Sequence, residues 1–461
     1  MKRKNLYLHL FFILGFNQLL LSQEPVEIYM NSENLRKNEI NPYSTKFEMI
    51  HGSNEVFPIE IFQAPDLQTI SIVHCDLKSV PKEIGTLKKL WRLNFNSNKL
   101  KTIPDEINAL KNLQILTLSS NLLTELPQDL SNLQQLSELD LRGNKLSSFP
   151  KSICTLTNLR ILDLSGNSFQ DIPDEFENLT RLQILTLGLE NFKQFPKPVT
   201  SLRQLEVLKI WDAKNLELDD IARLKGLTNL SFAYSTINTF PQSVLELKQM
   251  RNLGFFKSNL TEIPKNIYQL TELETLDLRD NQITKLPDEI KKLIHLQELK
   301  IGDNPINVQE LSRIRELLPD CAIDIFGDNY YSQSYASKGK YDIACLILNE
   351  KTKKKPSNYN NWYNLSWYSL FIDKPKEAIK AAEQVLNLEP KKVDVETNLA
   401  LAYVLDNQWA KAEEIYLKWK GKNFPNNNNL CDNIFLKDIT DLEKAGIKHR
   451  DFDKVKRLFG Y

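Results

Sequence analysis

The stretch LNFNSNKLKTIPDEINALKNLQIL, Leu93–Leu116, is followed 23 residues on by LTLSSNLLTELPQDLSNLQQLSEL and then by LDLRGNKLSSFPKSICTLTNLRIL. Pro58, Pro81, Pro104, Pro127, Pro150, Pro173 and Pro196 are each 23 residues apart. Pro241, Pro264 and Pro287 resume that interval after one gap. The leucines keep step with them: Leu90, Leu93, Phe95, Asn98 and Leu100 return as Leu113, Leu116, Leu118, Asn121 and Leu123. A period of this length means a stack of like units, because one such unit cannot bury its leucines alone.

Each unit carries its own local instructions. A pair such as Leu139 and Leu141 alternates with period two, so it predicts a short strand with its leucines inward and the intervening side chains on the other face. The later run, IPDEINALKNL in the opening stretch, spaces its apolar residues at nearly helical intervals. It predicts a turn of helix or 3₁₀ on the opposite side of the unit. The recurring Asn98, Asn121, Asn144, Asn167, Asn281 and Asn304 predict a ladder of amides that satisfies buried backbone groups. Cys75, Glu190, Ala213, Ser235 and Ser258 take the ladder position in other units, and Cys75 is read as a substitute, not a reactive thiol.

The pattern resembles the leucine-rich repeat, L-x-x-L-x-L-x-x-N-x-L, in the 23-residue subclass that reads LP or IP before its outer arc. Eleven units start between Leu67 and Leu296, preceded by a degenerate one marked by Phe47, Met49, Phe57, Pro58 and Ile61. VQELSRIRELLPDCAIDIF reads as the cap of the last open edge. A second period follows. Ala344, Ala378 and Ala412 are 34 residues apart, as are Tyr331, Leu365 and Leu399, and Pro356 and Pro390. WYNLSWYSL from Trp362 and KEAIKAAEQVLNLEP up to Pro390 are similar to the tetratricopeptide repeat, although no unit has its glycine and only the middle one has its leading Trp. The expected fold is an α/β leucine-rich repeat solenoid, a horseshoe, followed by an all-α tetratricopeptide-like helical bundle. The expected boundaries are 1–22 for a signal peptide, 23–66 for a lead-in and cap with the degenerate repeat, 67–326 for the leucine-rich array and 327–461 for the helices.

Composition narrows the function. Lys plus Arg is 59 and Asp plus Glu is 59, a balance that argues against a nucleic-acid polyanion as partner. Only 14 glycines are present, too few for a phosphate-cradling loop to stand out. The positive start Lys2, Arg3, Lys4, the apolar run LYLHLFFILGFNQLLL and the small Ser22 read as an export signal cleaved before Gln23. That reading places the mature chain in the periplasm, at the cell surface or outside the cell, with no integral membrane segment after cleavage. Without the signal the same architecture suits an intracellular scaffold.

Chemistry is scarce. Cys75, Cys154, Cys321, Cys345 and Cys431 are far apart, so neither a zinc site nor a disulfide framework is indicated. Cys431–Asp432 superficially resembles the catalytic pair of bacterial effector ubiquitin ligases, but the tail is too short for that domain. His51, His74, His295 and His449 lack metal-ligand spacing, though His51 and His74 fall one unit apart. Asp140, Asp163 and Asp277 line up on the concave face, where Asp is common in this repeat. No catalytic, cofactor or metal residue is therefore assigned.

What the sequence does offer is surface. Most concave positions are small or polar. Three adjacent units break that rule with Trp211, Tyr234 and Phe256, flanked by Lys209, Asp212 and Lys257. The unit around WDAKNLELDDIARL also loses its Pro and its ladder Asn and shrinks to 22 residues. Local rule-breaking marks functional sites. These six residues are the candidate binding patch, for a protein or peptide partner, with the helical groove as a second candidate surface. A non-catalytic glycan-binding protein is the alternative, since stacked rings also suit sugars.

Overall fold

The structure, a computed structural model, describes residues 27–30, 42–51, 55–325, 332–424 and 430–460. The proposed signal at 1–22 lies outside the described residues. The chain divides into two compact units. One is Met1–Gln282 with Pro287–Leu299, and the other is Ile283–Leu286 with Lys300–Tyr461.

The first unit is a ladder of short strands in chain order. They are β1 (Glu27–Met30), β2 (Lys46–Ile50), β3 (Thr69–Val73), β4 (Arg92–Asn94) and β5 (Ile115–Thr117). Next come β6 (Glu138–Asp140), β7 (Ile161–Asp163), β8 (Ile184–Gly188) and β9 (Val207–Trp211). β10 (Asn229–Ala233), β11 (Asn252–Phe256), β12 (Thr275–Asp277) and β13 (Glu298–Lys300) complete it. Each strand is bonded to the next in sequence, and pairing is parallel from β1 through β12. β1 falls inside the lead-in, where the sequence pattern shows no repeat.

The register is the one the period dictates. Leu93, Leu116, Leu139, Leu162, Leu185 and Leu208 stand side by side across neighbouring strands and are fully buried. The outer side is 3₁₀, not α: ten five-residue 3₁₀ segments start at Ile59, Lys82, Asp105, Lys151, Asp174, Lys197, Asp219, Gln242, Lys265 and Asp288. Nine of them are capped by proline, whose fixed φ near −70° suits a helix entry and whose missing N–H would have no partner there. In the shortened unit Leu218 caps instead, at φ −114°. Each segment buries at least one apolar side chain, such as Ile107 or Phe176.

The asparagine ladder is present. Asn121 accepts from the Leu100 amide (3.0 Å) and donates to the carbonyls of Phe95 (2.9 Å) and Leu118 (3.0 Å). Cys75 substitutes for Asn in the predicted way: its thiol reaches Val73 O and Met49 O, residues two and 26 positions back, as Asn98 Nδ2 reaches Asn96 O and Ile72 O. Ser235 makes a smaller version, accepting from Ala213 N and donating to Ala233 O. Glu190 departs from the expectation. It is exposed and lies 3.7 Å from Lys214, while Leu189 beside it is buried. The ladder is thus broken across the units of β8 to β11, which are also five-residue strands where their regular neighbours β4 to β7 have three.

The second unit opens with the cap, α1 (Val308–Leu317) and β14 (Ala322–Asp324). Asn307 caps α1 with its side chain, and Glu310, tied to Arg313, accepts from Leu286 N. The helices that follow are α2 (Ser332–Ser337), α3 (Tyr341–Lys354), α4 (Tyr359–Leu370) and α5 (Pro375–Leu388). Then come α6 (Glu396–Leu405), α7 (Trp409–Trp419), α8 (Cys431–Lys444) and α9 (Phe452–Leu458). α3, α5 and α7 start 34 residues apart, at Tyr341, Pro375 and Trp409. Ala344, Ala378 and Ala412, one per period, are fully buried, so neighbouring helices can approach closely there. Among the described residues no helix is long and apolar enough to cross a membrane.

Candidate binding surface

The strand face turned away from the core carries one side chain from every second strand residue. On β9 these are Val207, Lys209 and Trp211; on β10 Asn229, Ser231 and Ala233; on β11 Asn252, Gly254 and Phe256. Trp211, Ala233 and Phe256 share one row of the register. The sequence places three rings on three adjacent units, with Tyr234 one position along from Trp211 and Phe256, and the structure agrees. Tyr234 lies one residue beyond the row, at φ 53°, the left-handed position that the neighbouring units fill with Asp212 and Lys257 and that more distant ones fill with Gly143 or Gly166. Few bulky residues adopt that conformation. From it the phenol reaches over the small Ala233 and joins its two neighbours.

The three rings form one cluster. Trp211 and Tyr234 stack with centroids 5.6 Å apart and planes 14° from parallel. Tyr234 meets Phe256 edge to face at 5.4 Å. Such pairs contribute about 0.5–1.5 kcal/mol beyond their buried area. The cluster is nonetheless open: Trp211 is 36% and Tyr234 47% exposed, while Phe256 is half-buried. Lys257 Nζ sits 5.1 Å from the Tyr234 ring centre. Lys209 is exposed on β9, in register with Thr186 and Ser231. Asp212 has its carboxyl pushed above the usual range by burial and by Glu190, against the pull of Lys214. All six predicted residues therefore lie on or beside one patch.

Two contributors escape the sequence-based set. Arg279 lies 5.5 Å from the Phe256 ring and is held there by paired bonds of 2.9 and 2.6 Å to Asp277. The signal was available, since the period puts Arg279 in the same row as Trp211 and Phe256. Gly254 and Ser231 form a low floor two residues back from the rings, in the row of Lys209 and Asp277; a Cβ on Gly254 would just meet Ser231 at 3.5 Å and Asp277 at 3.7 Å.

His51 and His74 do come together, stacked at 5.1 Å, but among the described residues no three metal-ligating side chains converge. All five cysteines are free. Burial raises the Cys154 thiol to about 11, the Cys345 thiol to about 12 and the Cys431 thiol above its usual value, the opposite of what a nucleophile needs. Asp140 and Asp163 are register neighbours, and each accepts the backbone N–H two residues on, at 3.0 Å. Elsewhere, in the helical unit, burial drives the Asp438 carboxyl up to about 7, helped by Asp441 and opposed by Lys437 and the Thr397 hydroxyl.

The parallel ladder, the outer 3₁₀ turns and an aromatic patch without reactive groups define a solenoid whose kind is typically non-catalytic and made to bind. Family models for the leucine-rich repeat match residues 65–123 and 104–146, for a leucine-rich repeat region residues 150–255, and for paired copies of the repeat residues 271–313. The chain belongs to the leucine-rich repeat proteins. Among solved structures it is similar to a leucine-rich repeat protein of Leptospira interrogans, with 30% identity over 61% of this chain and 90% of that one and a TM-score of 0.37. An internalin of Listeria monocytogenes is 21% identical over 64% of this chain and 93% of that one, at a TM-score of 0.46. The Toll–Spatzle complex of Drosophila matches at 17% identity, 61% and 44% coverage and a TM-score of 0.48. Among curated proteins nothing matches the chain. Leucine-rich repeat proteins commonly act by binding other proteins.

Proposed function

We propose that this chain is a non-catalytic binding protein that captures a protein or peptide on the open face of its sheet, through the patch of Trp211, Tyr234 and Phe256 with Lys209, Asp212 and Lys257 around it. The observation that carries this is the exposed, mutually stacked ring cluster. A soluble chain rarely keeps such a surface without a use, and Trp, Tyr and Arg dominate binding hot spots. Tyr234 occupies the left-handed position that recurs from unit to unit, and from there its ring completes the cluster. The export reading of residues 1–22 places this capture outside the cytoplasm, where the chain serves as a scaffold or receptor.

The test is Trp211→Ala with Tyr234→Ala and Phe256→Ala, assayed by pull-down of native partners. The triple variant should lose capture while keeping the circular dichroism and melting temperature of the parent. Retained capture by a folded triple variant would move the function to another surface, the helical groove first. Capture of glycans but not of proteins, lost in the same variant, would favour the lectin reading.

A further inference from the structure

The open face of the sheet changes character along its length, and the change is ordered. At β6 and β7 it carries Asp140 and Asp163 side by side. Burial raises the Asp140 carboxyl, and Asp163 adds to the rise. Arg142, exposed on that face, and the Ser119 hydroxyl offset part of this rise. Beyond lie the small residues Ser165, Thr186 and Gly188, and then the exposed Lys209, which stands in the row of Asp140, Asp163 and Thr186 before the Ser231–Gly254 floor. Gly188 itself has no room to enlarge, because a Cβ there would sit 3.1 Å from Gly166 N. The track then meets the rings and the Ser231–Gly254 floor.

We infer that the partner presents an extended peptide lying across the strands, with an apolar side chain on the Ser231–Gly254 floor beside Trp211 and a lysine or arginine reaching Asp140 and Asp163. This rests on the binding function proposed for the ring cluster and gives it a direction and a ruler. From between β6 and β7 to between β10 and β11 is four strand spacings, about 19 Å at ~4.8 Å each. Extended chain covers ~3.3–3.6 Å per residue, so the two anchors stand about five residues apart. The charge argument is one of complement: neighbouring carboxylates gain from an incoming ammonium or guanidinium, most at low salt.

The experiment is selection of random dodecapeptides displayed on phage against the purified full chain, repeated with the Asp140→Asn, Asp163→Asn double variant and with Trp211→Ala. Asparagine keeps the oxygens that accept from Arg142 N and Ser165 N, so the turns persist. Peptides from the parent should carry a basic residue four to six positions from an aromatic or aliphatic one. Their affinity should fall at least tenfold on the double variant, and also on Trp211→Ala. Enriched peptides that need Trp211 but lack the basic residue, or bind the double variant equally, would overturn the inference and leave the ring cluster standing. Enriched peptides indifferent to Trp211, or no enrichment at all, would overturn both.

Discussion

Asn144 offers the most direct test of how the stack is held. Its Oδ1 accepts the Leu123 amide at 3.0 Å, and its Nδ2 donates to Leu118 O at 3.0 Å and Leu141 O at 2.9 Å. Leu118, Leu123 and Leu141 are fully buried, so water cannot replace the amide without entering the core. Asn144→Ala strands one buried N–H and leaves two buried carbonyls short of a partner. An unmet buried group costs about 1–3 kcal/mol. Carbonyls tolerate the loss better than N–H groups do. The expected sum is therefore roughly 3–6 kcal/mol, comparable to deleting a core leucine. Lys145→Ala, next door and exposed, should stay within about 0.5 kcal/mol. Urea unfolding gives the total, and native-state hydrogen exchange at Leu123 gives the local part, which matters because repeat arrays need not unfold in one step. Asn144→Asp keeps the acceptor but turns a charge toward two carbonyls, and should fall no lower than alanine by more than that repulsion. A loss under about 1 kcal/mol with unchanged Leu123 protection would show that the ladder decorates the stack and does not hold it.

Two further outcomes are expected. Because burial lifts the Asp438 carboxyl from the ordinary 3.8 of an unfolded chain to about 7, the folded chain holds the extra proton between those values. Stability of the helical unit should fall as pH rises from about 4 to 7 and then level off, by about 2–4 kcal/mol in all. Asp438→Asn should flatten that slope in urea melts followed by circular dichroism, and an unchanged slope would refute the assignment. The charged start, apolar run and Ser22 predict a native protein beginning at or near Gln23, and mass spectrometry finding Met1 or Lys2 intact would count against export.

The array was readable because each unit states its geometry many times over: proline, strand leucines and asparagine agree, and each agreement recurs every 23 residues. β1 was not readable, since a single strand added to the edge repeats nothing. Glu190 misled for a related reason. The count puts it on the ladder, but a carboxylate cannot donate to buried carbonyls, so the turn buries Leu189 and sends Glu190 to solvent. At the patch, the residue types identified the place and the period identified the row. The period put Tyr234 one residue beyond the row of Trp211, Ala233 and Phe256, but could not show that its ring turns back over the small Ala233 to bridge the other two.

The gap in the amide ladder has a mechanical side. From Asn98 to Asn167 consecutive amides clamp each turn to the ones before and after, as struts brace a spring at every coil. Between Ser168 and Ser258 the buried amides give way to serine hydroxyls and to an exposed chain of amides, Asn259 Nδ2 to Asn238 Oδ1 and Asn238 Nδ2 to Asn215 Oδ1, and the buried ladder resumes at Asn281. The struts of the middle coils have moved from the core to the surface, where water competes for them. That stretch is also where the rings sit, so the units under the patch are the ones tied by the more easily opened bonds. Amide exchange between Leu189 and Ser258 should accordingly run faster than in the flanking coils, and should slow when the rings are covered.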